Sequence, residues 1–379
     1  MKRDDPHHML REAVRRFARE KLWPNAPRWD RDKHFPREEL REAAAMGLFG
    51  VAIPERWGGA GMDASALAIA CEEISAGDGA TGTIIAVNNL VAGILAGFAD
   101  DAQKEAWLAP VARGDRLGAF ALTEPHAGSD ASAITTQAVR DGEGYVLNGV
   151  KQFITSGKTA DIAIVFAVTD KAAGKKGISA FVVPTDARGY VVARLEDKTG
   201  QRASDTAQIV LEDCRVPARN LLAGEGLGYR IALANLESGR INIAAQATGI
   251  ARAALGAAVA YANERRSFGR ALAEHQAVSF RLADMATQVE AARQLYLHAA
   301  RLRDAGEPCL REASMAKLFA SEMAEKVCSD AIQVHGGYGY VADFPVERLW
   351  RDVRVCKIYE GASDIQRLLI GRGLEAGNS

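Results

Sequence analysis

The chain has 379 residues, 48% hydrophobic and 25% charged, with a formal net charge of −1. That length suits two or three globular domains, and the charge balance offers no basic face of the kind nucleic acids or anionic membranes require. Five scattered cysteines without a C-x-x-C pair exclude a disulfide framework or a zinc ribbon and point to reduced thiols in a cytoplasmic setting. The N-terminus, Met1-Lys2-Arg3-Asp4-Asp5, leads into no apolar segment, so no signal peptide is expected.

Helices come first. Pro36 suits the start of a helix through Arg37 to Ala45, which Gly47 is placed to end. Gly79 to Ala99 carries no charge, yet it contains Asn88, Asn89, Gly82, Gly93 and Gly97. That content suits the core helix of a helical domain better than a membrane span. From Leu117 short strand-like runs take over at 118–122, 144–147, 162–166, 178–183 and 190–193, separated by turns such as Asp141-Gly142 and Asn148-Gly149. After Gly226 the helical period returns. The expected fold class is therefore α+β and multidomain: an all-α domain over 1–116, an antiparallel β domain over 117–226 and a helical bundle over 227–379.

Familiar motifs are missing. Gly224-x-Gly226-x-Gly228 lacks the dinucleotide-binding spacing and reads as an interdomain loop, and no P-loop occurs. His7-His8 is the only close histidine pair, so no metal site is expected.

Three segments are unusually rich in polar groups. In Phe120 to Asp130, the Gly128-Ser129 pair has amides and a hydroxyl to offer a phosphate, though Gly-Ser-Asp is also ordinary turn chemistry. In Asn148 to Gly157, alternation places Phe153 and Thr155 on one face, suited to cover a flat ring or simply to pack on a sheet. The third runs from Gln333-Val334-His335-Gly336-Gly337-Tyr338 to Tyr359-Glu360-Gly361. There Glu360 sits among apolar residues just before an amphipathic helix, as a base or as a plain helix-start acid.

Together these segments resemble the acyl-CoA dehydrogenases. Thr123-Glu124-Pro125-x-x-Gly128-Ser129-Asp130, Asn148-Gly149-x-Lys151-x-Phe153-Ile154-Thr155, Arg265-x-Ser267-Phe268-Gly269 with Gln276, Gly336-Gly337-Tyr338-Gly339 and Tyr359-Glu360-Gly361 look like that family's signatures, in order along nearly the whole chain. Ala86-Val87-Asn88-Asn89 and Lys176 to Phe181 resemble the short-chain (butyryl-CoA) branch. Glu312 to Lys317 and Tyr359 to Ser363 resemble the short/branched-chain branch equally well.

The resemblance implies FAD, a homotetramer, electron delivery to an electron-transfer flavoprotein, and Glu360 as the base that removes the substrate's α-proton. It implies that Phe120, Leu122, Thr123, Phe153, Ile154 and Thr155 hold the flavin ring, with Gly128 and Ser129 on the pyrophosphate or the CoA. Arg265, Ser267, Phe268, Gln276, Gln333, Gly336 and Gly337 would take the adenine half in a neighbouring subunit, and Ala362 and Asp364 would lie near the cofactor. Arg240, Glu237 and Gly361 would serve the substrate, while Ile84 and Ile85 would wall a short acyl pocket. Some branches carry their base at the position held here by Gly239, which leaves Glu360 as the candidate. Phe153 stands where the family often has Trp, and Ala362 where Thr is commonest. The lack of a further C-terminal domain speaks against an acyl-CoA oxidase, Glu360 against a monooxygenase, and the lack of a basic tail against a DNA-binding flavoprotein on the same fold.

Overall fold

The computed structural model describes residues 5–375. The first layer holds α1 (Pro6–Phe17), α2 (Ala26–Asp32), α3 (Arg37–Ala45), α4 (Ala64–Gly77), α5 (Gly79–Phe98), and the short α6 (Asp101–Gln103) and α7 (Ala109–Arg113). Asp63 and Asp78 cap α4 and α5, each accepting a backbone N–H at 2.8 Å, from Ala66 and Thr81. Pro36 stands at the N-cap of α3, one residue before the position expected for it.

Helix α5 is buried over most of its length, and its two asparagines explain its placement. Asn88 donates to the carbonyls of Phe49 and Val111 and accepts from Gly118 N–H at 3.0 Å. Asn89 donates to Leu48 and Ile85 and accepts from Val51 N–H. Buried amides are stable only when so satisfied, and here they stitch the helical layer to the start of the sheet. By length and composition α5 and Gly228–Glu264 could each cross a membrane, but 72% and 61% of their apolar windows are buried inside the fold.

The middle of the chain forms β1 (Gly118–Ala121), β2 (Gln137–Asp141), β3 (Gly144–Thr155), β4 (Ile162–Val168), β5 (Ile178–Pro184), β6 (Tyr190–Leu195) and β7 (Thr206–Pro217). Their order is β1-β4-β2-β3-β7-β6, with β5 also on β4. The sheet is mixed, not purely antiparallel as the sequence suggested, because β1 runs parallel to β4 over Gly118–Ala121. The long crossover between these two strands permits that direction, which a tight hairpin forbids.

The last layer is built on α8 (Gly228–Glu264), followed by the β8 (Arg266–Ser267) and β9 (Arg270–Ala271) hairpin, α9 (Gln276–Asp304), α10 (Leu310–His335), α11 (Val346–Val353) and α12 (Ser363–Glu375). Helix α8 packs against α4, α5, α9 and α10. At Gly249 any Cβ would lie 2.1 Å from the Glu72 carbonyl oxygen, so glycine sets how closely α8 approaches α4. Beside that contact, buried Glu72 pairs with Arg293 at 2.8 Å and buried Glu73 with Arg252 and Arg15. The pairs with Arg293 and Arg252 join the first and last layers, and losing an arginine there would leave a buried carboxylate uncompensated.

Candidate active site

The chain reverses sharply between α11 and α12. Glu360 (φ 52) and Gly361 (φ 91) both adopt left-handed backbone, a conformation glycine tolerates and glutamate does not favour. The reversal turns the Glu360 side chain toward α8, where its Oε2 is buried and has no hydrogen-bond partner. A Cβ built on Gly239 would fall 2.5 Å from that oxygen, so the helix is hollowed at this point to receive the carboxylate. Burial raises the Glu360 pKa, against the opposing pull of the Arg240 and Lys317 cations. Arg240 is itself only 5% exposed, and its Nε is unpartnered. A half-desolvated carboxylate with a free oxygen, beside two residues without side chains, can accept a proton from a carbon placed against it.

The backbone of this turn is held from below. Lys317 Nζ donates to the Gly361 carbonyl at 2.7 Å, and Gln366 Nε2 donates to the same oxygen at 2.9 Å. Tyr359 donates its hydroxyl to Gln246 Oε1 at 2.5 Å. Gln246 donates in turn to Thr83 Oγ1 at 2.7 Å, and Thr83 to Gln201 Oε1 at 2.5 Å. Gln201 closes the cluster on the Asp352 carbonyl at 3.0 Å.

The residues expected to contact a flavin ring lie together in the sheet. Lys151 Nζ donates to the Leu122 carbonyl at 3.1 Å, and Gln152 N–H to that of Thr123 at 2.8 Å, which fixes β3 beside the end of β1. Lys151 also forms a wholly buried ion pair with Glu124 at 2.8 Å. Burial opposes the Glu124 charge, but Lys151 and the Thr135 and Thr136 hydrogen bonds prevail and hold its pKa at about 2. A bulge in β3 between Lys151 and Ile154 breaks the regular strand read from the sequence and puts Phe153 at φ 59. Phe153 is consequently 63% exposed, an aromatic face turned outward on a sheet, while Ile154 is buried and Thr155 half-buried. Phe120 is half-buried, edge-on to Phe166 at 5.1 Å. Gly128 and Ser129 lie exposed in the adjoining loop.

A second group forms around a cleft of about 680 Å³ lined by Tyr261, Arg265, Ser267, His335, Gly336 and Gly337, among others. His335 stacks on Tyr261 at 4.3 Å. Gln276 begins α9, Gln333 is exposed on the last turn of α10, and Phe268 projects from the hairpin 95% exposed. The outward Phe153 ring and the open cleft at Arg265 each suit one part of a large planar cofactor.

Three residues expected to serve the substrate, Ile84, Ile85 and Glu237, are not drawn to Glu360, and the two expected near the cofactor, Ala362 and Asp364, flank the start of α12. Ile84 and Ile85 are each 1% exposed in the core of the helical layer, and the α5 side chain that reaches the catalytic turn is Thr83. Glu237 faces Arg303 at 3.8 Å and Cys309. Asp364 is exposed and pairs with Arg367 at 3.1 Å. Ala362 is half-buried between the turn and α12. Lys317, Gln246, Gln201 and Thr83 escaped sequence reasoning. Lys317 was visible in principle, since it shares the buried spacing of Ala313, Ala316, Ala320 and Ala324 on α10.

A buried, unpartnered carboxylate against Gly239, together with the outward Phe153 ring and the Arg265 cleft, suits an oxidoreductase acting on an activated C–H bond. Residues 4–115, 119–214 and 226–375 match the N-terminal, middle and C-terminal domains of the acyl-CoA dehydrogenases. The human mitochondrial short-chain specific acyl-CoA dehydrogenase is 47% identical over 97% of this chain and 89% of its own length. The butyryl-CoA dehydrogenase structure from Megasphaera elsdenii aligns over 99% of both chains at 40% identity and a TM-score of 0.96. A chain from a structural study of the electron transferring flavoprotein of Acidaminococcus fermentans aligns over 99% of both at 44% and 0.96. The chain belongs to the acyl-CoA dehydrogenase family and is an oxidoreductase of acyl-CoA thioesters, with short-chain enzymes among its relatives.

Proposed function

We propose that this protein is an FAD-dependent dehydrogenase of short-chain acyl-CoA thioesters, forming the trans-2-enoyl-CoA with Glu360 as the α-proton acceptor. The observation that carries this reading is the buried, unpartnered Glu360 oxygen lodged against Gly239. FAD would be held at its ring by the Phe153 face of one subunit and at its adenine half by the Arg265 cleft of a neighbouring one, and would supply the acceptor for the β-hydride. The Glu360 N–H makes no backbone hydrogen bond among the described residues, so it is available to polarise the thioester carbonyl, as an oxyanion donor would. Polarisation acidifies the α-carbon, and Glu360 takes its proton. Burial makes the carboxylate a stronger base than it is in water, which suits it to so weak an acid.

A cleft at the start of the same helix supports a seat for the CoA. Lys175, Lys176 and Arg230 surround Tyr229 at a cleft of about 460 Å³. Between Arg230 and Gly239, α8 advances roughly 14 Å at 1.5 Å per residue, a span suited to an extended pantetheine arm. The short-chain enzymes among the relatives support a short acyl chain. Extra methylenes forced into a filled site would cost about 1–3 kcal/mol. Exposed Phe268, Phe280 and Ile358 support assembly as a homotetramer, and the relatives support an electron-transfer flavoprotein as electron acceptor. The five free, buried cysteines fit a reducing, cytoplasmic setting.

The test is anaerobic flavin bleaching of the yellow protein, with steady-state rates alongside, by straight-chain esters from propionyl-CoA to dodecanoyl-CoA. The expected optimum in kcat/KM is butyryl-CoA, with octanoyl-CoA roughly ten- to a hundred-fold lower. Failure of every ester to bleach the flavin would reject the dehydrogenase. A steady rise through dodecanoyl-CoA would reject only the short-chain reading.

A further inference from the structure

Lys317 is a buried cation for which proton abstraction by Glu360 provides no role. It lies on α10 with no exposed surface, and among the described residues no carboxylate forms an ion pair with it. Its ammonium is instead spent on a neutral acceptor, the Gly361 carbonyl, at 2.7 Å. Burying a lysine against a peptide oxygen is an expensive way to satisfy a carbonyl. That is all the more so because Gln366, fully buried as well, already donates to the same oxygen at 2.9 Å. The carbonyl belongs to the second of two consecutive left-handed residues, and such backbone persists only where its surroundings over-determine it. The charges facing Lys317 are Glu360 from the turn and Arg240 from α8, with the Cys356 thiol from the segment before Tyr359. Among the described residues, those facing Glu360 are Arg240 and Lys317.

We propose that Lys317 is a positioning residue for the reaction: its ammonium pins the Glu360–Gly361 turn against Gly239 and supplies a fixed positive charge behind the carboxylate. The geometric role is shared with Gln366, but the charge is not. Burial lowers the Lys317 pKa to about 8, opposed by Cys356 and Glu360, so the cation persists through neutral pH. Its charge lowers a Glu360 pKa that burial has raised, and removing it sends that pKa further up. Since the base works only when ionised, the acid limb of the rate profile moves to higher pH.

The inference rests on Glu360 being the base, which flavin bleaching by wild type and its loss in Glu360→Gln test separately. The experiment compares holoenzymes of wild type, Lys317→Met and Gln366→Leu. Stopped-flow flavin reduction by butyryl-CoA is recorded against pH. The protonated Glu360 carboxyl is followed independently by infrared difference spectroscopy, its band assigned by its disappearance in Glu360→Gln. Lys317→Met is expected to shift both midpoints upward by about one pH unit and to slow reduction at neutral pH about tenfold or more. Gln366→Leu is expected to slow reduction with both midpoints unmoved. Lys317→Met with wild-type midpoints, whatever its thermal stability, overturns the proposal. If Lys317→Met does not accumulate as holoenzyme, Gln366→Leu still decides: midpoints that move in that variant would show that packing, not the lysine charge, sets the Glu360 titration.

Discussion

A Cβ at position 239 would stand 2.5 Å from Oε2 of Glu360, so the glycine of α8 and the carboxylate of the turn occupy one another's space. The atom in the way is the far end of a flexible side chain, which can move aside without unfolding anything. Gly239→Ala is therefore expected to fold normally. Its stability should be unchanged or higher by up to about 1 kcal/mol, because alanine favours a helix interior. Flavin reduction by butyryl-CoA should nonetheless fall about a hundred-fold, since displacing a reacting group by about 1 Å costs that much. Stopped-flow rates and a urea melt on the same preparation check both halves. An undiminished rate would mean that Glu360 does not work from this position.

Tyr359 supports the Glu360 turn from behind. Tyr359→Phe removes the hydroxyl that Gln246 accepts and leaves a fully buried amide oxygen without its donor. An orphaned buried acceptor costs about 1–3 kcal/mol, so urea unfolding should show a loss of that size with FAD retained. A change smaller than about 0.5 kcal/mol would mean that the cluster behind the turn contributes little.

Asp352, which accepts from Gln201 N–H and faces Arg348 at 3.4 Å, has its pKa raised to about 7. Burial is the main cause, opposed by Arg348 and reinforced by Asp78. For a carboxyl raised on folding, the native state binds the extra proton between the unfolded pKa near 4 and the folded one near 7. The stability it contributes is complete below about pH 4 and is lost as pH rises through 7. Melting temperatures of wild type and Asp352→Asn across pH 5 to 8 should diverge accordingly, with the variant lacking this downward component. Parallel curves would remove Asp352 from the account.

The candidate site residues were legible through family motifs that are local in sequence: Glu360 with Gly361, Phe153 with Thr155, Arg265 with Ser267. What was not legible depends on rotation and register. Helix α5 is apolar on nearly every side, so no polar stripe reveals that Thr83 faces the turn while Ile84 and Ile85 face the core. Strand β2 was overlooked because only Ala138 of Gln137–Asp141 is buried, and β7 because Glu212 and Asp213 interrupt its apolar run. The parallel pairing of β1 with β4 and the bulge at Phe153 are set by partners distant in sequence. Lys317 shows the opposite case, a charged residue carrying the spacing of the buried alanines around it.

Whether Glu360 removes the α-proton is tested most directly by Glu360→Gln. The amide keeps the size of the side chain and leaves the backbone N–H in place, so only the proton acceptor is lost. Holoenzyme of this variant, mixed anaerobically with butyryl-CoA, is expected to keep its FAD and bind the thioester while flavin reduction falls by several orders of magnitude. Flavin bleaching at close to the wild-type rate would contradict the assignment and require another base.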